Sequence, residues 1–369
     1  MKKDAHKDAL LLKVLKQALP YLRQHKRQVM VVKLGGELAG NPDALRSLAE
    51  DVSLLVHVGI RMVVVHGGGP QATEISKRLG IQPQMVEGRR VTDEQTLDVA
   101  KMVFAGKINT DILSALRAQG VHAVGLSGVD AGIVSAVRRK PTQMKDEATG
   151  EVRLVDFGHV GDVQAVDGTL LSLLMEHGYV PVLASLGADE DGNILNINAD
   201  TVASVIAQDL GASKLISLTS VPGVLRDKDD PSTLIPMLTT AQAREALAGG
   251  QVSGGMKPKI AAVVDAVEKG VRRGHILSGL DHGSILLELF TREGCGTLIV
   301  GENEAAEAAA DAAAAVAADV IAEVASRRPG ATRAVGRPPL SSGDGPRAPS
   351  APGAPGGPGA PGAPREVRT

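Results

Sequence analysis

Two stretches of this chain end an apolar run in glycine: Val31-Val32-Lys33-Leu34-Gly35-Gly36, and Val63-Val64-Val65-His66-Gly67-Gly68-Gly69 leading into Pro70-Gln71-Ala72. A β-strand that ends in glycines brings backbone N–H groups up to a ligand with no Cβ in the way. A helix starting there adds partial positive charge and unpaired N–H groups. Pro70 suits the first helical position, where a missing N–H costs nothing. Two such turns in one sheet grip one phosphate from two sides, and Lys33 adds a full positive charge.

Around these turns, strand-like and helix-like segments alternate. Apolar strand candidates fall at 29–34, 61–66, 121–125, 180–184, 214–219, 274–278 and 297–300. Helix candidates fall at 42–58, 70–79, 94–118, 168–177, 199–210, 239–248, 257–270 and 284–291. This alternation predicts an α/β fold with a mainly parallel sheet. Residues 133–138 and 151–155 break the rhythm and read as a hairpin around the polar turn 146–150. Residues 8–24 read as an amphipathic helix, with Leu11, Leu12, Leu15, Leu19 and Leu22 at helical spacing. Its leucine stripe packs either on its own lobe or on another subunit. After Val300 the composition changes. Residues 304–326 are rich in Ala and Glu and read as a solvent-exposed helix, whereas 329–369 are rich in Pro, Gly, Ala, Ser and Arg and cannot bury enough apolar area to fold.

Composition narrows the function classes. The 369 residues carry a formal charge of −2, so no basic surface points to nucleic acid. Tryptophan is absent, with two tyrosines and three phenylalanines, so the core rests on Val, Leu, Ile and Ala, as in strands covered on both faces. The single cysteine, Cys295, excludes an internal disulfide and fits a cytoplasmic setting. No apolar run reaches membrane-spanning length. The nine histidines lack ligand spacing, so no metal site is expected.

Four motifs carry chemistry. His66-Gly67-Gly68-Gly69 reads as a phosphate cradle, a loose dinucleotide fingerprint, or the oxyanion turn of a lipase-like hydrolase. The hydrolase lacks its nucleophile elbow, and the fingerprint leaves Lys33-Leu34-Gly35-Gly36 unexplained; glycines used only for packing are the bland alternative. Gly88-Arg89-Arg90-Val91-Thr92-Asp93 is a basic turn before a helix, with Thr92 as N-cap. Its arginine forks suit carboxylates, though a solvated surface role competes. Asn196-Ile197-Asn198-Ala199-Asp200 opens another helix, where capping by Asn198 competes with substrate binding. Gly254-Gly255-Met256-Lys257-Pro258-Lys259 places lysines at a helix start, against the helix dipole, which favours a functional role.

Taken together and in this order, these stretches resemble the amino-acid kinase family, within it the N-acetyl-L-glutamate kinases. VVKLGG, VVVHGGGPQ, EGRRVTDEQTLDVAKMVFAGKIN, GLSGVDAG, GHVGDV, GYVPVLASLG, NINADTVA, LTSVPGVL and GGMKPKI carry the likeness from about 20 to 300. The resemblance implies a three-layer α/β/α sandwich with a mainly parallel central sheet and two lobes. Residues 26–185 would form the acylamino-acid and dimerisation lobe and 186–301 the nucleotide lobe, with an oligomerisation helix at 1–25 and a flexible tail at 302–369. It implies transfer of the ATP γ-phosphoryl, with Mg2+ arriving on ATP, to the γ-carboxylate of N-acetyl-L-glutamate, the second step of arginine synthesis.

By the same resemblance, Lys33 and Lys259 neutralise the transferring phosphoryl and Asp200 orients both lysines. Gly35, Gly36, Gly67 and Gly68 supply backbone donors, Gly67 and Gly68 also toward the substrate. Arg90 and Asn196 hold the acetylglutamate α-carboxylate. The physics is consistent: an ionised carboxylate nucleophile needs no strong base, and two mutually repelling anions need positioning and charge neutralisation. The leucine helix at 8–24 and the stretch 284–297 resemble the parts that build hexamers and bind arginine in inhibited family members. His282, Glu288, Gly294 and Gly296 would be the effector residues. Where such members place a histidine directly before Ser284, this chain has Gly283, with His282 one position earlier. A homo-oligomer, dimer or hexamer, is expected, with no nucleic-acid or membrane partner.

Deleting residues 1–24 is expected to reduce a larger assembly to dimers, keep catalysis and weaken arginine inhibition, because the leucine stripe would otherwise lie exposed. Light scattering of both forms checks the first point, where equal masses would exclude the helix as the ring-forming element. Titration with millimolar arginine checks the last.

Overall fold

The computed structural model describes residues 25–306 apart from 87–88, 146–151, 253 and 292–293, together with Leu19 and Arg23. All of these belong to one compact unit, Met1–Ala317; the second unit, Ala318–Thr369, lies outside the described residues. The helix expected at 8–24, Gly88, the turn at 146–150 and the tail beyond residue 306 also fall wholly or largely outside them.

Eight strands form the central sheet, in the order Met237–Thr239, Thr297–Val300, Arg273–Ser278, Lys214–Thr219, Val29–Leu34, Arg61–His66, Val180–Ala184, Ala123–Ser127. Six run parallel; Thr297–Val300 reverses direction against Arg273–Ser278, and Met237–Thr239 follows it. The expected mainly parallel α/β architecture is therefore present. Five strands begin and end where the apolar runs do, at 29–34, 61–66, 180–184, 214–219 and 297–300. Strands buried on both faces read as near-continuous apolar runs, which stand out from the polar segments around them.

Alternation divides the core into two layers. Met30, Val32, Leu34, Met62 and Val64 face the helices Pro42–His57, Gly69–Arg78, Asn109–Ala118 and Ser284–Phe290. Val31, Val63 and Val65 face Thr169–Glu176, Ala199–Asp209, Thr240–Ala248 and Met256–Glu268. The period of two places Lys33 on this second face, toward Ala199–Asp209.

Three expectations are corrected. The helix expected at 94–118 is interrupted: Glu94–Lys101 and Asn109–Ala118 are α-helical, and Met102–Ile108 is a π-helix. Thr92 is not the cap of this helix. The Asp93 carboxylate accepts from Thr96 N at 2.8 Å, while buried Thr92 is bound through its backbone to Phe157 and His159. Finally, Val134–Arg138 pairs with Gly161–Val166, not with residues 152–155, which pair with Thr142–Lys145. Val134 and Ala136 are buried and need an inner partner; Val152 and Leu154 are exposed and do not. The inner pair joins Leu186–Ala188 and Ile194–Asn196 in a four-stranded sheet.

A polar seam fixes Ser284–Phe290 to Pro42–His57. The Asp51 carboxylate accepts from Ile285 N at 3.2 Å and the Ser47 hydroxyl from Gly283 N at 3.2 Å. Burial pushes the Asp51 carboxyl up to about 6. A folded-state pKa above the unfolded value contributes stability below the unfolded value and loses it as pH rises through the folded one. Asp51→Asn keeps the acceptor without the charge. Its melting temperature is expected to gain on wild type as pH rises from 4 to 7; a difference independent of pH would mean that Asp51 does not titrate in this window.

Candidate active site

A cleft of about 1180 Å³ opens beyond the carboxyl ends of Val29–Leu34, Arg61–His66 and Val180–Ala184. The chain passes from Val29–Leu34 to Arg61–His66 on one side, and Lys214–Thr219 later flanks Val29–Leu34 on the other. Such a reversal of strand order leaves an open crevice in doubly wound sheets.

The two glycine turns meet there. A Cβ on Gly36 would stand 2.8 Å from Pro70 Cδ, and one on Gly68 would stand 2.3 Å from Ile108 Cδ1 and 2.7 Å from Phe104 Cδ1. Only glycine allows these approaches. The Gln71 side chain ties the turns together, its Nε2 donating to Gly36 O at 2.6 Å. Helices Gly69–Arg78 and Met256–Glu268 begin after Gly68 and Gly255 with no side-chain cap, and both starts line the cleft.

Lys33 is the charge between them. Its ammonium is buried and pairs with Asp200 Oδ1 at 2.7 Å. The Asn198 side chain caps the Asp200 helix, accepting from Asp200 N at 2.7 Å, so the cap and the charge partner are built by one motif. Lys259, one turn into Met256–Glu268, donates to Gly255 O at 3.0 Å. Burial, then the charge of Lys33, pulls its pKa down, opposed by Asp200 and Glu37. The two lysines and Asp200 are thus one electrostatic group, although the described ion pair of Asp200 is with Lys33 alone.

Arg90 is not a solvated surface residue. Its guanidinium donates to Gly69 O at 2.5 Å and to the Thr73 hydroxyl, at the open start of Gly69–Arg78. Burial lowers its pKa. Asn196 Nδ2 donates to Thr92 Oγ1 at 3.2 Å, and both Arg90 and Asn196 line the cleft. Lys33, Gly36, Gly67, Gly68, Arg90 and Asn196 therefore share one cavity. Gly35, Asp200 and Lys259 are not among the lining residues; Gly35 caps the short helix Gly36–Ala39.

His282, Glu288, Gly294 and Gly296 do not line the cleft. Glu288 accepts from His275 Nδ1 at 2.7 Å, from Cys295 N at 2.7 Å and from Gly296 N at 3.0 Å, and Gly294 packs on the same carboxylate. Glu288, Gly294 and Gly296 are brought together; exposed His282 turns instead to Glu50, at 3.2 Å. Sequence reasoning missed Gln71, Thr73, Phe104, Asn109 and Arg139. Gln71 lay in a quoted motif, but nothing in its spacing marks a contact with residue 36. Among the described residues no cluster of three His, Cys, Asp or Glu side chains could hold a metal ion, and no helix is long and apolar enough to cross a membrane.

Comparison with known proteins gives the family. The model of the amino acid kinase family matches residues 28–278. The acetylglutamate kinase of Methanothermobacter thermautotrophicus is 43% identical over 286 residues, 78% of this chain and 98% of the relative. That of Symbiobacterium thermophilum is 47% identical over 287 residues, 78% of this chain and 96% of the relative. Among solved structures, N-acetylglutamate synthase from Neisseria gonorrhoeae, complexed with coenzyme A and N-acetyl-glutamate, superposes with a TM-score of 0.66 at 30% identity. That match covers 79% of this chain and 63% of the synthase chain. Carbamate kinase from Giardia lamblia bound to AMP-PNP, with a TM-score of 0.53 at 17% identity over 75% of this chain and 99% of its own, shares the fold. The chain belongs to the amino acid kinase family, in its acetylglutamate kinase branch.

Proposed function

We propose that the chain transfers the γ-phosphoryl group of ATP to the γ-carboxylate of N-acetyl-L-glutamate, giving N-acetyl-L-glutamyl 5-phosphate and ADP, the second step of arginine biosynthesis. The observation that carries this reading is the buried Lys33–Asp200 pair between two apposed glycine turns, in a chain this similar to acetylglutamate kinases.

A γ-carboxylate oxygen forms the new P–O bond as the bond from the γ-phosphorus to the β,γ-bridging oxygen breaks. The attacking carboxylate is already ionised near neutral pH, so no base removes a proton. The barrier is repulsion between anions and the spread of charge over the phosphoryl oxygens. Lys33, held by Asp200, and Lys259, from the opposite helix start, neutralise that charge. The N–H groups of Gly35, Gly36, Gly67 and Gly68 line the transfer path. Arg90 and Asn196 hold the substrate α-carboxylate. Lysines, arginines and glycine turns dominate the lining, which fits phosphate oxygens, and Asp265, the carboxylate among the lining residues, offers Mg2+ no cage. Mg2+ would therefore come on ATP, screening phosphate charge through phosphate and water ligands.

The two-lobe division at about residue 185, a cytoplasmic setting and a homo-oligomer belong to the same proposal. So does arginine feedback, supported by the joining of Glu288, Gly294 and Gly296 and weighed against the separate position of His282. A coupled ATP assay comparing acetylglutamate, acetylaminoadipate and glutamate at equal concentration tests the substrate. Preference for either of the others would overturn the assignment.

Lys33→Ala and Lys259→Ala are each expected to cut kcat by about 3–4 kcal/mol of transition-state stabilisation while the fold survives. Steady-state kinetics check this, and turnover within tenfold of wild type would remove that lysine from the mechanism.

Arg90→Ala is expected to raise KM for acetylglutamate far more than KM for ATP, because only the acceptor carboxylate loses its fork. A raised ATP constant with an unchanged acetylglutamate constant would place Arg90 on the nucleotide instead.

A further inference from the structure

His66 ends its strand directly before the glycine turn, and its imidazole is wholly buried. Nε2 lies 3.1 Å from Asn109 Nδ2, and Nδ1 lies 3.1 Å from Gly67 O. The Asn109 nitrogen also lies 2.9 Å from Val182 O and 3.3 Å from Leu126 O. Two carbonyls identify that end of the amide as the donor, since an oxygen there would face two oxygens. An amide nitrogen only donates. His66 Nε2 must therefore accept, and its proton sits on Nδ1, where it donates to Gly67 O. Burial, partly opposed by the bond to Gly67, lowers the imidazole pKa to about 4, so the ring is neutral at physiological pH.

The peptide Gly67–Gly68 is planar, so its C=O and N–H point in opposite directions. Pinning the Gly67 carbonyl to His66 fixes the direction of the Gly68 N–H, in a residue that lines the cleft. The other tautomer would set an imidazole lone pair against that carbonyl and release the plane.

The surrounding structure is shaped to hold this arrangement. Asn109 follows the π-helix Met102–Ile108, whose Phe104 and Ile108 press on Gly68. A Cβ on Gly125 would stand 2.0 Å from Asn109 Oδ1, so only glycine there admits the amide. π-Helical turns concentrate at functional sites, and here one turn delivers Phe104, Ile108 and Asn109 to a single peptide.

We propose that His66 and Asn109 are positioning residues for phosphoryl transfer: the Asn109 amide locks the His66 tautomer, and His66 aims the Gly68 N–H at the reacting group. The proposal rests on the kinase reading above. Selective 15N-histidine labelling of the full chain, with the His66 signal assigned from a His66→Gln variant, reads the tautomer without reference to activity. The proton is expected on Nδ1 between pH 6 and 8, and a proton on Nε2 would overturn the lock.

Kinetics then test its use. His66→Asn keeps a donor near the Nδ1 position, whereas His66→Gln is larger and keeps only the acceptor for Asn109. His66→Gln is expected to lose about tenfold to a hundredfold in kcat with KM for ATP within about twofold, and His66→Asn to recover most of that loss. Better turnover in His66→Gln than in His66→Asn would reduce His66 to a filler of space and overturn the proposal. If wild type makes no acetylglutamate-dependent ADP, the kinase reading fails, and the Nδ1 signal alone decides whether the lock exists.

Discussion

A lysine ammonium is buried under a parallel sheet and neutralised by one carboxylate: Lys33 on Asp200, at 2.7 Å. Removing two charges from water costs several kcal/mol per ion, and their mutual attraction often fails to return it. An apolar pair of similar volume would serve the fold at least as well. Much of the architecture is arranged to keep this pair in place. The alternation of Val29–Leu34 turns Lys33 toward the second helical layer, and Asn198 caps the helix that brings Asp200 to it. Gly35 and Gly36 then let the chain turn directly after the strand, so the lysine, next to last in its strand, lines the cleft.

Capping shows the same division between support and site. Pro42–His57, Glu94–Lys101 and Thr240–Ala248 have side-chain caps from Asn41, Asp93 and Thr239. Gly69–Arg78 and Met256–Glu268 start at glycines with no side-chain acceptor, and both open on the cleft. Thr169–Glu176 and Ser284–Phe290 also follow glycines, yet side chains take their first N–H groups, Asp167 that of Thr169 at 2.9 Å and Asp51 that of Ile285 at 3.2 Å. The two at the cleft have no side-chain acceptor at their starts, and their helix dipoles add to the positive charge of Lys33 and Arg90.

How far the molecule is legible in its sequence follows from the range of each contact. Val29–Leu34 and Val180–Ala184 are apolar on both faces, so their limits are visible in the residues themselves. The lysines and glycines of the cleft are legible because charge at a helix start and glycine after a strand both oppose ordinary stability. Arg90 reads locally as a surface arginine, and only the return of its two-residue strand to Gly69 buries it. The π-turn at 102–108 has no local signature; it arises where Phe104, Ile108 and Asn109 must all reach the His66–Gly68 corner. The inner hairpin was misassigned for a similar reason. Nearness along the chain favours residues 152–155 as partner, whereas burial of Val134 and Ala136 selects 161–166.

The electrostatics of the cleft explain why its positioning must be so fully built. Lys33, Lys259 and Arg90 set three cations beside Asp200, and burial, then the charge of Lys33, lowers the pKa of Lys259. With no anion bound, this arrangement repels itself, and partial burial weakens the screening that would relieve it. A flexible site would relax by turning one cation out to water. Here Gly255 O holds Lys259, Gly69 O and Thr73 hold Arg90, and Gln71 ties one glycine turn to the other. Each of these holders is a neutral oxygen or amide, which fixes a cation without cancelling its charge. The positive field is therefore retained for the anions that enter, and the stability given up in retaining it is returned when they bind.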